Sequence, residues 1–259
     1  MMPMRRLILC LASLSTAYAA YTFPPRVVRN TGVPTGQLKN ISGIQTYLSY
    51  PPNYTTSTKA ILHITDIFGL PLLENKLLAD SLAANDYLVL MPDLFAGDAI
   101  SVEQQEAGLN LTSWFARHPP SEIDRVVKMI IGYMRGELGV ERVGGVGYCF
   151  GGKYVPRFLT GGGIDVGFIA HPSGLTEGEV GGIGGPVSVA AGTLDASFNS
   201  TAKSRAESIL NSNNVTFQSN LYYGAPHGFG VRVNQSVPQQ VYAKQASFLQ
   251  AVTWFDAWL

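Results

Sequence analysis

The stretch GVGYCFGG, residues 145–152, decides how this chain is read. The apolar run RVGGVGY leads into it and GKYVPRFL leaves it at helical period, so Cys149 stands where a strand meets a helix, with Gly147 two residues before and Gly151 two after. Strand, sharp turn and helix, with Gly-x-nucleophile-x-Gly across the turn, form an elbow that lifts a reactive side chain above a sheet. The turn forces the nucleophile into strained dihedrals and brings backbone so close that a Cβ at either flanking position would clash. Amides at the start of the helix then face the side chain; they favour an anion there and can hold an oxyanion, with the N–H of Phe150 as one donor.

Outward from the elbow, short apolar runs alternate with longer helical ones. AILHIT (60–65) and YLVLMPDLF (87–95) read as strands on either side of the helix LLENKLLADSLAAN, and SEIDRVVKMIIGYMRGE reads as a helix opened by Ser121 and Glu122. DVGFIAHPS and PVSVAAGTLD are strands separated by a glycine-rich loop from Gly174 to Gly185. TAKSRAESILNS is an amphipathic helix, VTFQSNLYYG a strand, and QQVYAKQASFLQAVTWFDAWL a long terminal helix. Upstream, Ile44 to Ser49 belongs to an opening hairpin closed by Pro51-Pro52-Asn53, and residues 98–119 read as a looser segment. This is the βαβ signature of an α/β protein with a mostly parallel central sheet flanked by helices, expected as a single domain over residues 21–259.

With 259 residues, 46% of them hydrophobic, the chain can bury a large core. Its net charge is zero and only 14% of residues are charged, which argues against a nucleic-acid binder and leaves a small molecule as the expected partner. Residues 1–20 read as a signal peptide: Arg5 and Arg6, the apolar Leu7 to Leu14, then small residues ending at Ala19 and Ala20. The expectation is a secreted protein without integral membrane association, since no later run reaches about 18 apolar residues. Six Asn-x-Ser/Thr acceptors, at Asn40, Asn53, Asn110, Asn199, Asn214 and Asn234, fit a glycosylated product. Cys10 leaves with the leader, so Cys149 would travel alone into an oxidising compartment, where a thiol is a liability unless buried or used.

A thiol nucleophile needs a base. Asp195 closes the strand PVSVAAGTLD and His227 follows LYYGAP, which sets nucleophile, acid and histidine in that chain order, each at a strand end. His227 would accept the thiol proton while Asp195 holds the ring and stabilises the imidazolium. Each residue alone has a blander reading as turn or loop polarity; the order of the three together carries the expectation. His63, within an apolar strand, reads as a hydrogen-bonded core or edge histidine, His171 as a structural hydrogen-bonding residue with a pocket-facing position as the alternative, and His118 as loop surface. These scattered histidines give no zinc spacing, and Gly145-x-Gly147-x-x-x-Gly151 misses the dinucleotide fingerprint, so neither a metal nor a cofactor is expected.

From Ala60 onward the chain resembles the dienelactone hydrolase family of α/β-hydrolases, on the motifs TDIFGL, MPDLFAGD, GVGYCFGGKY, AGTLDASF and APHGFGVR. It looks like a eukaryotic, fungal-type secreted member. The resemblance implies the α/β-hydrolase fold, catalytic Cys149, Asp195 and His227, and an oxyanion hole from the backbone N–H groups of Phe150 and Ile67. Bacterial members place a Glu before IFG to hold the resting thiol; Asp66, one methylene shorter, is its counterpart here. Their two carboxylate-binding arginines are matched by Gly97 and Val231, with Arg232 next door as the candidate substrate contact. The implied function is hydrolysis of an ester or lactone bond in a small molecule through a thioester. Competing readings are a noncatalytic binding protein on the same fold, or a hydrolase acting on a polysaccharide or a secondary-metabolite intermediate. The sequence leaves the oligomeric state open.

Overall fold

A computed structural model describes residues 27–259; the expected signal peptide lies outside the described residues. The short apolar runs become an eight-stranded sheet: β1 (Gln37–Ile41), β2 (Ile44–Ser49), β3 (Lys59–Ile64), β4 (Leu88–Pro92), β5 (Arg142–Tyr148), β6 (Val166–Ala170), β7 (Val187–Leu194) and β8 (Phe217–Pro226). Their spatial order is β1-β2-β4-β3-β5-β6-β7-β8. The opening hairpin pairs antiparallel and attaches antiparallel to β4, whereas every pairing from β4 through β8 is parallel. All five residues of β4 and all five of β6 are buried. Strands covered on both faces read as continuous apolar runs, which is why they stand out in the sequence.

Among the described residues, eight helices connect and cover the strands: α1 (Leu73–Ala83), α2 (Val102–Glu106), α3 (Leu111–Arg117), α4 (Pro120–Gly136), α5 (Gly151–Phe158), α6 (Glu177–Gly181), α7 (Ser200–Ser212) and α8 (Pro238–Trp258). One apolar core lies between the sheet and α4 through α7, where Ile123, Val127, Tyr154, Val155 and Leu210 pack. The other lies between the opposite face and α1 with α8, where Leu78, Leu82, Phe248 and Phe255 pack.

Three segments differ from the sequence reading. The looser stretch 98–119 contains α2 and α3, and the glycine-rich loop 174–185 contains α6. These helices bury one residue or none, so they lack an apolar stripe; side-chain caps hold them instead, with capping boxes at Ser101 and Thr176 and an Asn110 cap on α3. Helix α4 starts at Pro120, one residue before the expected start, because proline suits a first helical turn whose N–H has no partner. None of the described helices is long and apolar enough to cross a membrane.

Candidate active site

The elbow has the geometry that its glycines demand. Cys149 has φ 51°, in the left-handed region, between the end of β5 and the start of α5. For a residue with a Cβ this costs about 1 kcal/mol or more, so surrounding bonds must impose it. Cys149 N–H donates to Ala170 O at 3.2 Å, Gly151 N–H to Thr65 O at 3.0 Å, and Ser173 N–H to Cys149 O at 2.9 Å. A Cβ on Gly147 would meet Gly151 O at 2.5 Å, and one on Gly151 would strike the backbone of Ile64. Glycine at 147 therefore follows from the packing of β5 against the first turns of α5, and glycine at 151 from the packing of the start of α5 against the end of β3.

Parallel strands bring their C-terminal ends to one edge, where functional groups of open α/β sheets collect. Ile64 of β3 pairs with Gly147 of β5, Tyr148 with Ala170 of β6, and Ala170 with Ala190 of β7, so the segments after these strands meet. Asp195 follows β7 and His227 follows β8. His227 Nδ1 lies 3.0 Å from Asp195 Oδ1 and 3.1 Å from Oδ2. The same Oδ1 accepts the N–H of Ser197 at 2.8 Å and of Phe198 at 3.1 Å. Burial opposes ionisation of Asp195, but the His227 contact and these two amides outweigh it and hold the carboxyl below its ordinary value. Burial alone would also lower the pKa of His227; the Asp195 bond and the adjoining Cys149 sulfur reverse that and raise it to about 10.

Ser173, which sequence reasoning passed over, stands between the ring and the thiol. Its Oγ is 3.2 Å from His227 Nε2 and 3.4 Å from Cys149 Sγ. The only signal for it was its place in AHPSG just after β6, the same kind of strand-end position that singled out Asp195 and His227. Cys149 itself is a free cysteine, buried with 9% exposure.

These side chains open onto a cavity of about 690 Å³ whose wall includes Phe68, Leu111, Phe115, Phe150 and Tyr154. Ile67 and Phe150 line it too, and among the described residues neither N–H has a protein acceptor. Asp66 also lines the cavity, but its Oδ1 accepts from Asn75 Nδ2 at 2.9 Å and Phe68 N–H at 3.1 Å, while the thiol's hydrogen bond is with Ser173. Burial raises the Asp66 pKa to about 6 against the opposing effect of Asn75, Arg232 and two amides. Arg232 reaches the cavity with its guanidinium 3.9 Å from the Phe68 ring centre. Gly97 faces a separate cleft, and Val231 is fully buried.

The other histidines depart from the sequence reading. His63 and His171 are buried, yet among the described residues neither ring nitrogen of either has a hydrogen-bond partner. Burial pushes both pKa values down to about 3, which keeps the rings neutral. His63 packs edge-on against Tyr148 at 5.4 Å, and His171 against His227 at 5.2 Å. His118, the C-cap residue after α3, is more covered than loop surface: its ring lines the cavity edge, packs against Phe95 and Trp114, and bonds to Asp98 Oδ2 at 2.9 Å. Among the described residues no three His, Cys, Asp or Glu side chains are grouped to hold a metal ion.

The family model for dienelactone hydrolases matches residues 44–259. Hydrolase pyvD of Aspergillus violaceofuscus is 42% identical over 228 residues, covering 88% of this chain and 92% of its own. Dienlactone hydrolase 1 of Gibberella moniliformis is 33% identical over 88% of this chain and 90% of its own. Among solved structures, a dienelactone hydrolase from Anabaena variabilis has TM-score 0.64 at 14% identity, covering 87% of this chain and 99% of its own. An α/β serine hydrolase without lid from Xanthomonas campestris has TM-score 0.60 at 11% identity, over 86% of this chain and 97% of its own. The two solved structures share the fold, and the family match spans the elbow and both of its partner strand ends: the chain belongs to the dienelactone hydrolase family, α/β-hydrolases that cleave carboxylic esters and lactones.

Proposed function

We propose that this protein hydrolyses an ester or lactone bond in a small organic molecule, with Cys149 as nucleophile, His227 as base and Asp195 as the group that orients and charges the base. The observation that carries the reading is the unbroken hydrogen-bonded series Asp195, His227, Ser173, Cys149 at the wall of an apolar cavity. Loss of the thiol proton toward His227 leaves a thiolate that attacks the acyl carbon. The oxyanion takes the amides of Phe150 and Ile67, and the imidazolium returns a proton to the leaving alcohol. Water, deprotonated by His227, then splits the thioester and releases the acid. The aromatic wall suits the apolar body of such a substrate, and Arg232 offers one cation to an acidic substituent.

Export of the mature chain from residue 21 belongs to the same proposal. It is supported by the leader-like composition of residues 1–20 and by the exposure of all six acceptor asparagines, Asn40, Asn53, Asn110, Asn199, Asn214 and Asn234. The catalytic assignment is tested with a short-chain p-nitrophenyl ester: Cys149→Ala is expected to abolish nitrophenol release, and a rate equal to that of the wild type would remove it.

A further inference from the structure

We propose that the Ser173 hydroxyl carries the proton between Cys149 and His227, so that the catalytic machinery has four members. The inference rests on the cysteine reading above and adds a step inside it.

Two distances set the geometry: 3.4 Å from Ser173 Oγ to Cys149 Sγ and 3.2 Å from the same oxygen to His227 Nε2. Nδ1 is already engaged by Asp195, which leaves Nε2 as the ring nitrogen able to take a proton from the nucleophile. The Ser173 hydroxyl bonds to both the sulfur and the ring nitrogen, beside the direct approach of sulfur to ring that helps raise the His227 pKa. The hydroxyl is itself held in place. Ser173 N–H is tied to the Cys149 carbonyl at 2.9 Å, and Pro172 lies so close to the start of α5 that a Cβ on Gly152 would meet it at 2.8 Å. His171, two residues earlier, is held at φ 40° by the same turn. A strained segment fixed at both ends marks a position that the surrounding structure dictates.

A hydroxyl has one proton to give and lone pairs to receive one, which the task requires. Before transfer, Cys149 S–H donates to Ser173 Oγ while the Ser173 O–H donates to Nε2. The S–H bond breaks and its proton bonds to Oγ as the original hydroxyl proton bonds to Nε2; the electron pair stays on sulfur. The products are a thiolate, an intact serine hydroxyl and an imidazolium. Every donor still has an acceptor: the imidazolium now donates to Oγ, and the hydroxyl donates to the thiolate. Reversal of the same two shifts protonates the thiolate at the end of the cycle.

The test uses the full chain and iodoacetamide, so it needs no knowledge of the natural substrate. Cys149 alkylation is followed by mass spectrometry across pH in the wild type, Ser173→Ala, Ser173→Thr, Ser173→Val and His227→Ala. The relay predicts that Ser173→Ala and Ser173→Val slow alkylation near neutral pH by about 10-fold and take on the pH profile of His227→Ala. Ser173→Thr, which has the shape of valine but keeps the hydroxyl, recovers most of the rate. A Ser173→Ala profile that overlays the wild type overturns the relay. Should the Ser173 variants fail to fold, a solvent-isotope proton inventory on wild-type acylation by p-nitrophenyl acetate decides: a curved plot supports two protons in flight, and a linear plot overturns the relay. The underlying assignment fails separately, through turnover by Cys149→Ala, whereas an inactive Cys149→Ala beside an unaffected Ser173→Ala removes the relay alone.

Discussion

Asp195 is the residue whose burial has the plainest chemical purpose. Its side chain has no solvent exposure, and its Oδ1 accepts from two backbone amides as well as from the His227 ring. The two amides fix the carboxylate so that it holds the ring with Nε2 toward Ser173. Asp195→Asn keeps the shape but removes the charge that stabilises an imidazolium, so kcat is expected to fall by about 10²-fold or more with KM little changed. Steady-state kinetics on a p-nitrophenyl ester check this, and a fall in kcat under a few-fold would detach Asp195 from the chemistry. The three residues that the sequence singled out, Cys149, Asp195 and His227, are legible because each ends a recognisable strand in a distinctive motif. Ser173 lies three residues past the end of β6 and offers no pattern beyond its place in AHPSG. Whether His63 or His171 finds a hydrogen-bond partner depends on what other strands bring past it, which their own segments do not encode.

The elbow is a product of strand spacing as much as of its own residues. At Gly151 a Cβ would strike the Ile64 backbone and approach Thr65 O at 2.8 Å, so relief requires the start of α5 to move away from the end of β3 at the point where Ile67 and Phe150 meet the cavity. Gly151→Ala is expected to destabilise the fold by about 3 kcal/mol and to lose activity. Gly139→Ala, at φ 67° with open space around it, should cost about 1 kcal/mol and leave activity intact. Urea unfolding compares the two variants; equal losses would mean that the elbow is not the tight contact described. The long elements were readable from apolar runs and helical period, as with α4 and α8. Helices α2, α3 and α6 were not, because caps rather than a buried face hold them. In α5, Pro156 lies inside the helix without ending it, since the preceding glycine-rich turn and the packing of Tyr154, Val155 and Phe158 fix its course.

Over the molecule as a whole, the parallel sheet places its functional groups at one edge and pays for this with buried charge. Asp66 is 4% exposed, and its folded pKa of about 6 stands above the ordinary 3.8. Between those values the folded chain keeps a proton that the unfolded chain has lost, so stability falls as pH rises from about 4 to 6. The loss is on the order of 3 kcal/mol and persists above pH 6. Asp66→Asn should remove this slope, seen as urea midpoints that vary less between pH 4 and pH 7 than in the wild type; parallel profiles would contradict it. The fold class was legible from alternating runs, but the order β1-β2-β4-β3-β5-β6-β7-β8 was not, because it is set by which face each crossover helix covers. The convergence of five strand ends makes the sulfur of Cys149, rather than a serine or water, the atom expected to carry the acyl group. Acid quenching during turnover of p-nitrophenyl acetate, followed by peptide mass mapping, tests this most directly. The acetyl group is predicted on the peptide bearing Cys149, as a hydroxylamine-sensitive thioester; acetyl found on Ser173 or any other side chain would contradict the account.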